Sequence, residues 1–177
     1  LNIYDDGQLF EDPKTHSIDA EGFPHRKSPI IENGVLKNFI FDNYYSNIFG
    51  SKNTGNAFRW GSQSYESLPQ IAPNPLSVDP GNKDLKDLVA EIENGILIND
   101  QIMGMHTANP ISGEFSVVAP NVHKIEHGEI TSPLESITVA GNLYEIFNQI
   151  IAIGNETDLT PSGKIPSMAF EGFSISG

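Results

Sequence analysis

"SPIIENGVLKNFIFD", residues 28–42, decides how the rest of the chain is read. Two apolar runs flank Glu32-Asn33-Gly34. Asn-Gly between such runs is the strongest short-range hairpin signal, because a type I′ turn needs positive φ at both central residues. The stretch predicts strands over 28–32 and 35–41. Asp42 can then cap a helix running through Phe49, with Gly50 at its end. Tyr45, Ile48 and Phe49 would share its apolar face. "VHKIEHGEIT" (122–131) predicts a second hairpin. The two echo each other: Ile, Glu, Asn or His, Gly, then an apolar residue two places on. That echo suggests duplicated hairpin–helix halves, about 1–75 and 76–177.

Outward from the first hairpin, "LNIYDDG" reads as a short strand, 10–29 as loop, and 51–75 as a long polar loop of a length that tends to be functional. A strand follows at "PLSV". In "DLKDLVAEIENG" (84–95), Leu85, Leu88, Val89 and Ile92 fall at i, i+3, i+4 and i+7, and Gly95 fits just past the end of that helix. "GILIND" returns to strand. "QIMGMHTANP" and "GEFSVVAP" read as two strands around a turn, and "SITVAGN" as a strand entering a helix that starts near Asn142 and runs through "NLYEIFNQIIAIG". "MAFEGFSIS" supplies one or two last strands. The expected fold class is α+β, mostly antiparallel β (barrel-like or packed sheets), with two or three short helices.

Composition narrows the function. With 23 Asp and Glu against 10 Lys and Arg in 177 residues, the net charge of −13 repels phosphate backbones, which argues against nucleic acid. The absence of cysteine removes disulfides, thiolate ligands and cysteine nucleophiles, and fits a reducing compartment. No apolar run approaches the roughly 20 residues that span a bilayer, so no membrane role is expected. The chain starts at Leu1 with no signal segment behind it, and reads as a piece of a longer protein.

Candidate chemistry is sparse. "HKIEH" places His123 and His127 at i, i+4, the spacing of a zinc helix. Its flanks read as strand, where i and i+4 lie about 13 Å apart, too far for one ion with bonds of about 2 Å. His106, Thr107, Ser112 and Glu114 could in principle form a nucleophile–base set, but "ANPISGE" is turn chemistry and no Gly-x-Ser-x-Gly elbow is present. The Asp5–Asp6 pair does not match a calcium loop. Ser162 and Lys164 in "PSGKIPSM" read more readily as a turn than as a dyad. "TGNAFRWG" (54–61) joins Gly55, Asn56, Arg59 and the only tryptophan into a plausible contact surface.

In their order, "IDAEGFPHRKSPIIENGVLKNFIFD", "TGNAFR", "GILINDQIMGMHTANPISGEFS", "IEHGEI", "ITVAGNLYEIFNQIIAIGN" and "IPSMAFEGFSISG" resemble the C-terminal part of the TldD/PmbA (modulator of DNA gyrase) family over nearly the whole chain. The resemblance implies the C-terminal domain, with the N-terminal half missing. "IMGMHTANPISGEFS" and "ITVAGNL" are similar to the PmbA/TldE-type arm. That arm lacks the metal set and forms a heterodimer with TldD-type zinc metalloproteases. The cysteine ligand of the TldD arm would fall near Ser162, whose hydroxyl is a much poorer zinc ligand than a thiolate. No cofactor is therefore expected in this domain, zinc only in a TldD-type partner.

The resemblance implies a cytoplasmic domain that helps hold unfolded polypeptide, without catalytic residues of its own. Its peptide-cavity candidates are Thr54, Asn56, Arg59, His106, Asn109 and Ser112, and its partner is a TldD-type subunit or a second copy in a homo-oligomer. Two alternatives stay open. The full-length protein could itself be a metallopeptidase, or the chain could be a stand-alone module binding a small ligand in a closed apolar pocket.

Overall fold

The computed structural model describes residues 1–61 and 64–177. Ser62 and Gln63, within the stretch expected to be a long loop, lie outside the described residues. In chain order the strands are β1 (Ile3–Asp6), β2 (Lys27–Glu32), β3 (Val35–Leu36), β4 (Ala57–Phe58), β5 (Gln70–Ile71), β6 (Leu76–Val78), β7 (Asn94–Ile98), β8 (Glu114–Ala119), β9 (Val122–Glu126), β10 (Glu129–Leu134), β11 (Ile137–Asn142), β12 (Ile150–Thr160), β13 (Gly163–Phe170) and β14 (Ser174–Ser176). The helices are α1 (Asn43–Phe49), α2 (Leu85–Ala90) and α3 (Leu143–Ile146).

The chain forms two compact units, Leu1–Pro80 with Thr157–Pro166, and Gly81–Glu156 with Ser167–Gly177. The α+β class with mainly antiparallel pairing holds. Of the two sheet arrangements expected, a barrel does not form: among the described residues no sheet closes on itself.

In the first unit, β3-β2-β1-β6 run side by side and continue through the first half of β13 to the end of β12, with β13 parallel to β6 at Gly163↔Leu76 and Lys164↔Ser77. Both hairpins form as read, with φ of 51° and 76° at Asn33-Gly34 and 51° and 78° at His127-Gly128. β3 is shorter than the 35–41 expected. Lys37 N–H still reaches the Ile30 carbonyl, but the next partner, Pro29, has no N–H, and the Asn38 amide takes the Pro29 carbonyl instead.

Helix α1 has the expected ends. Asp42 accepts from Tyr45 N–H at 2.8 Å and Gly50 is left-handed at φ 62°; such a cap contributes about 1 kcal/mol. Its faces are the reverse of those expected. Tyr45, Ile48 and Phe49 are exposed and Ser46 is the buried residue. The reason lies in the unit's interior, which is largely polar: Asp5, Asp6, Asp12, Asp19, Asp42, Asn56 and Ser77 are buried alongside Leu9, Ala57 and Val78.

The second unit is built in the opposite manner. Sheets β10-β9-β7 and β14-β11-β8 share a core of Val117, Ala119, Val122, Ile137 and Val139, with Ile96, Phe115, Leu134 and Phe173 against it. Each valine or isoleucine of that core, fully buried, contributes on the order of 1.5–3 kcal/mol.

Four further expectations are corrected. Helix α2 stops at Ala90, because Ile92 N–H bonds the Val89 carbonyl in a tighter turn and Gly95 enters β7, which pairs with β9. Helix α3 is one turn. Ile150, Ile151 and Ile153 are β-branched and extend into β12 rather than continuing it. Residues 101–110 give one bridge, Met103↔Val118, then a 3₁₀ turn at Met105–Thr107 set by Gly104 at φ 97°. The 51–75 stretch is not structureless, since β4 and β5 pair within it.

Candidate functional site

In the first unit, "TGNAFRWG" is held from within. Thr54 Oγ1 accepts from Phe41 N–H at 2.6 Å and donates to the Phe41 carbonyl at 2.9 Å. Gly55, at φ 76°, is required, because a Cβ there would lie 2.6 Å from the Pro24 carbonyl oxygen. Asn56 is 2% exposed, and its amide donates to Asp5 Oδ2 at 2.9 Å and to the Ala72 carbonyl at 3.1 Å. Arg59 donates to the Ser67 carbonyl, and exposed Trp60 stands edge-on to Phe58. Among the described residues, three buried side-chain polar atoms have no hydrogen-bond partner: Asn56 Oδ1, Asn53 Nδ2 and His25 Nδ1.

Asp5 is the residue that sequence reasoning undervalued. Its carboxylate accepts from Asn74 N–H at 2.6 Å, Asn74 Nδ2 at 2.8 Å and Asn56 Nδ2 at 2.9 Å. The adjacent acids in "YDDG" were the only signal, and they matched no calcium loop. Asp6 meets Ser77 Oγ at 2.8 Å and Lys27 Nζ at 3.3 Å instead. A cavity of about 230 Å³ beside Asp5 is walled by Ile30, Leu36, Asn38, Phe39, Ile40, Pro73 and Leu76.

In the second unit, "MGMHTANPISGEFS" is a braced turn. Asn109 Oδ1 accepts from Ile111 and Ser112 N–H at 2.9 and 3.1 Å, and Asn142 Nδ2 and Tyr144 Oη donate to the Ser112 and Pro110 carbonyls at 2.7 Å each. Thr107 Oγ1 donates to the Gly104 carbonyl, and Ser112 Oγ lies 3.3 Å from Glu114 Oε2. His106 is exposed on the 3₁₀ turn. Of the six candidates, Thr54, Asn56 and Asn109 commit their side chains to holding their own loops, whereas His106 is presented outward.

His123 lies in β9 and His127 at the turn after it, where its Nδ1 sits 2.5 Å from Glu93 Oε1. Ser162, exposed in the turn between β12 and β13, donates its N–H to Thr160 Oγ1 and gives its carbonyl to Leu76 N–H. Among the described residues no group of three or more His, Cys, Asp or Glu side chains is placed to hold a metal ion. The donor set around Ser162 does not fit zinc.

Asp100 carries a pH signature. The Asn121 amide, then the Gln101 N–H, hold its carboxyl below the usual carboxylate range. A pKa lower in the folded than in the unfolded chain adds stability above the unfolded pKa, and that stability is lost as pH falls through the folded one. Asp100→Asn should therefore flatten the acid limb of a Tm-against-pH curve slightly. An unchanged limb would count against this reading. The effect is small because the group is exposed.

These features define a two-unit α+β domain whose motif-bearing loops are built from asparagine, glycine and buried carboxylates. A family model described as "PmbA/TldA metallopeptidase C-terminal domain" matches residues 1–177, and the chain belongs to that family. A Methanocaldococcus jannaschii protein is 33% identical over 97% of this chain and 39% of its own length. A Saccharolobus solfataricus protein named "Zinc metalloprotease TldD homolog" is 34% identical over 78% of this chain and 30% of its own. The crystal structure of TldE from Thermococcus kodakarensis superposes with a TM-score of 0.84 at 30% identity, over 99% of this chain and 39% of that one. The chain thus spans about two fifths, or less, of these relatives. Among the described residues no helix is long and apolar enough to cross a membrane.

Proposed function

We propose that this chain is the C-terminal domain of a PmbA/TldE-type subunit that pairs with a TldD-like zinc metalloprotease in the cytoplasm to process unfolded polypeptides, without a complete metal site of its own. Ser162 carries the reading. At the turn where the TldD arm is expected to place a thiolate, this chain offers a hydroxyl, which stays protonated at neutral pH and binds zinc poorly. The exposed face of α1 supports a partner. Phe41 and Tyr45 pack against Phe49 at 5.9 and 6.5 Å between ring centroids, and Tyr45, Ile48 and Phe49 remain open to solvent. In this scheme Arg59, His106 and Ser112 contact the peptide, while Thr54, Asn56 and Asn109 shape the loops that present backbone groups to it.

A second reading, in which the full-length protein is itself a metallopeptidase, is favoured by the similarity to the zinc metalloprotease TldD homologue. Mixing the full-length protein with a TldD-type subunit at micromolar concentration separates the two. A stoichiometric complex on size-exclusion chromatography, with zinc confined to the TldD-type chain, is expected. No complex, or about one zinc per chain in the protein carrying this domain, would overturn the first reading.

A further inference from the structure

The β4–β5 ribbon leaves one edge open beside a recess of about 780 Å³. The phase of the ladder identifies the outward groups. Ala72 N–H bonds the Asn56 carbonyl, and Ala57 points its own N–H and carbonyl away from β5, to Asp19 Oδ2 and Ala20 N–H. In an antiparallel pair the residue opposite Ala57 points its groups the other way. That residue is Ile71. No hydrogen-bond partner for its N–H or carbonyl exists among the described residues, and Ile71 is one of the residues that line the recess.

The rest of the wall is chemically distinctive. Tyr44 and Tyr45, edge-on with centroids 5.2 Å apart, stand with Glu21 and Asp42 around the same space. Glu21 accepts from Asn43 N–H with one carboxylate oxygen, and Asp42 from Tyr45 N–H with one of its own. Among the described residues the second oxygen of each accepts no hydrogen bond. Among the described residues no lysine, arginine or histidine lines the recess. Two carboxylates beside two exposed phenol rings attract a cation both by charge and through the ring faces.

We infer that this edge and recess form a binding site for a basic residue in an extended polypeptide. The peptide backbone adds to β5 at Ile71, and the arginine or lysine side chain enters between Tyr44, Tyr45, Glu21 and Asp42. The inference rests on the polypeptide reading above and adds a preference to it. The acidic character of the chain as a whole, −13, acts in the same direction.

The test uses the 177-residue chain and fluorescein-labelled octapeptides of alanine and threonine with one central arginine, or citrulline in its place, read by anisotropy. Citrulline keeps the shape and removes the charge, so affinity should fall at least tenfold. Glu21→Gln retains an acceptor for Asn43 N–H and should weaken the arginine peptide several-fold while leaving the citrulline peptide unchanged. Methylating the backbone nitrogens next to the arginine should weaken binding as well. Equal affinity for the arginine and citrulline peptides overturns the cation site and leaves the polypeptide reading standing. No binding by either peptide overturns the site as a whole, whereas the polypeptide reading falls only with the complex and zinc test above. Free arginine amide binding as tightly as the peptide overturns the strand-addition half. If Glu21→Gln fails to fold, the arginine–citrulline pair alone still decides.

Discussion

Gly163→Ala is expected to destabilise the protein by about 3 kcal/mol or more, a large part of the roughly 5–15 kcal/mol that holds most domains together. At φ 136° an L-residue is strained by about 1–3 kcal/mol before any contact is considered. The contacts are worse than the strain. A Cβ on Gly163 would lie 1.9 Å from the Leu76 carbonyl oxygen and 2.4 Å from its nitrogen, both backbone atoms that no rotamer change can move. Relief requires separating β13 from β6, which sacrifices the bond from Leu76 N–H to the Ser162 carbonyl at 2.9 Å. Gly34→Ala is the control. Its φ of 76° is also left-handed, but nothing lies within 4 Å of its Cβ, so about 1–2 kcal/mol is expected. Urea unfolding followed by circular dichroism reads both. Equal losses would mean that the approach to Leu76 is not as close as described.

What the sequence made legible was local. The Asn33-Gly34 and His127-Gly128 turns, the Asp42 cap and the Gly50 stop each depend on residues a few places apart, and each forms as read. What it hid was settled at long range. "IFNQIIAIG" has no decisive period, and its isoleucines follow a strand ladder that the stretch itself does not contain. The buried side of α1 could not be read from its own apolar residues, because it faces an interior of carboxylates and amides. The same holds for the site. Thr54 and Asn56 stood out as candidates, but their partners Phe41, Asp5 and Ala72 lie 13, 51 and 16 residues away. The order of motifs carried the family even where single residues misled.

Asp5→Ala is expected to cost about 3–5 kcal/mol, because a single substitution removes an acceptor shared by three donors. Asn74 N–H, Asn74 Nδ2 and Asn56 Nδ2 all converge on this one carboxylate, which is 1% exposed, and Asn56 Nδ2 alone keeps a second acceptor in the Ala72 carbonyl. Each buried donor left unpaired costs roughly 1–3 kcal/mol. Asp5→Asn keeps the volume but turns an N–H₂ toward donors on one side, so it should recover only part of the loss. Removal of Asn74 tests whether the loss comes from these bonds or from the cavity left behind. In a cycle with Asn74→Ala, a coupling of about 1 kcal/mol or more is expected, since the two residues share two hydrogen bonds. Additive losses would assign the cost to packing, and the carboxylate would then not be what fixes Asn56 and the loop it anchors.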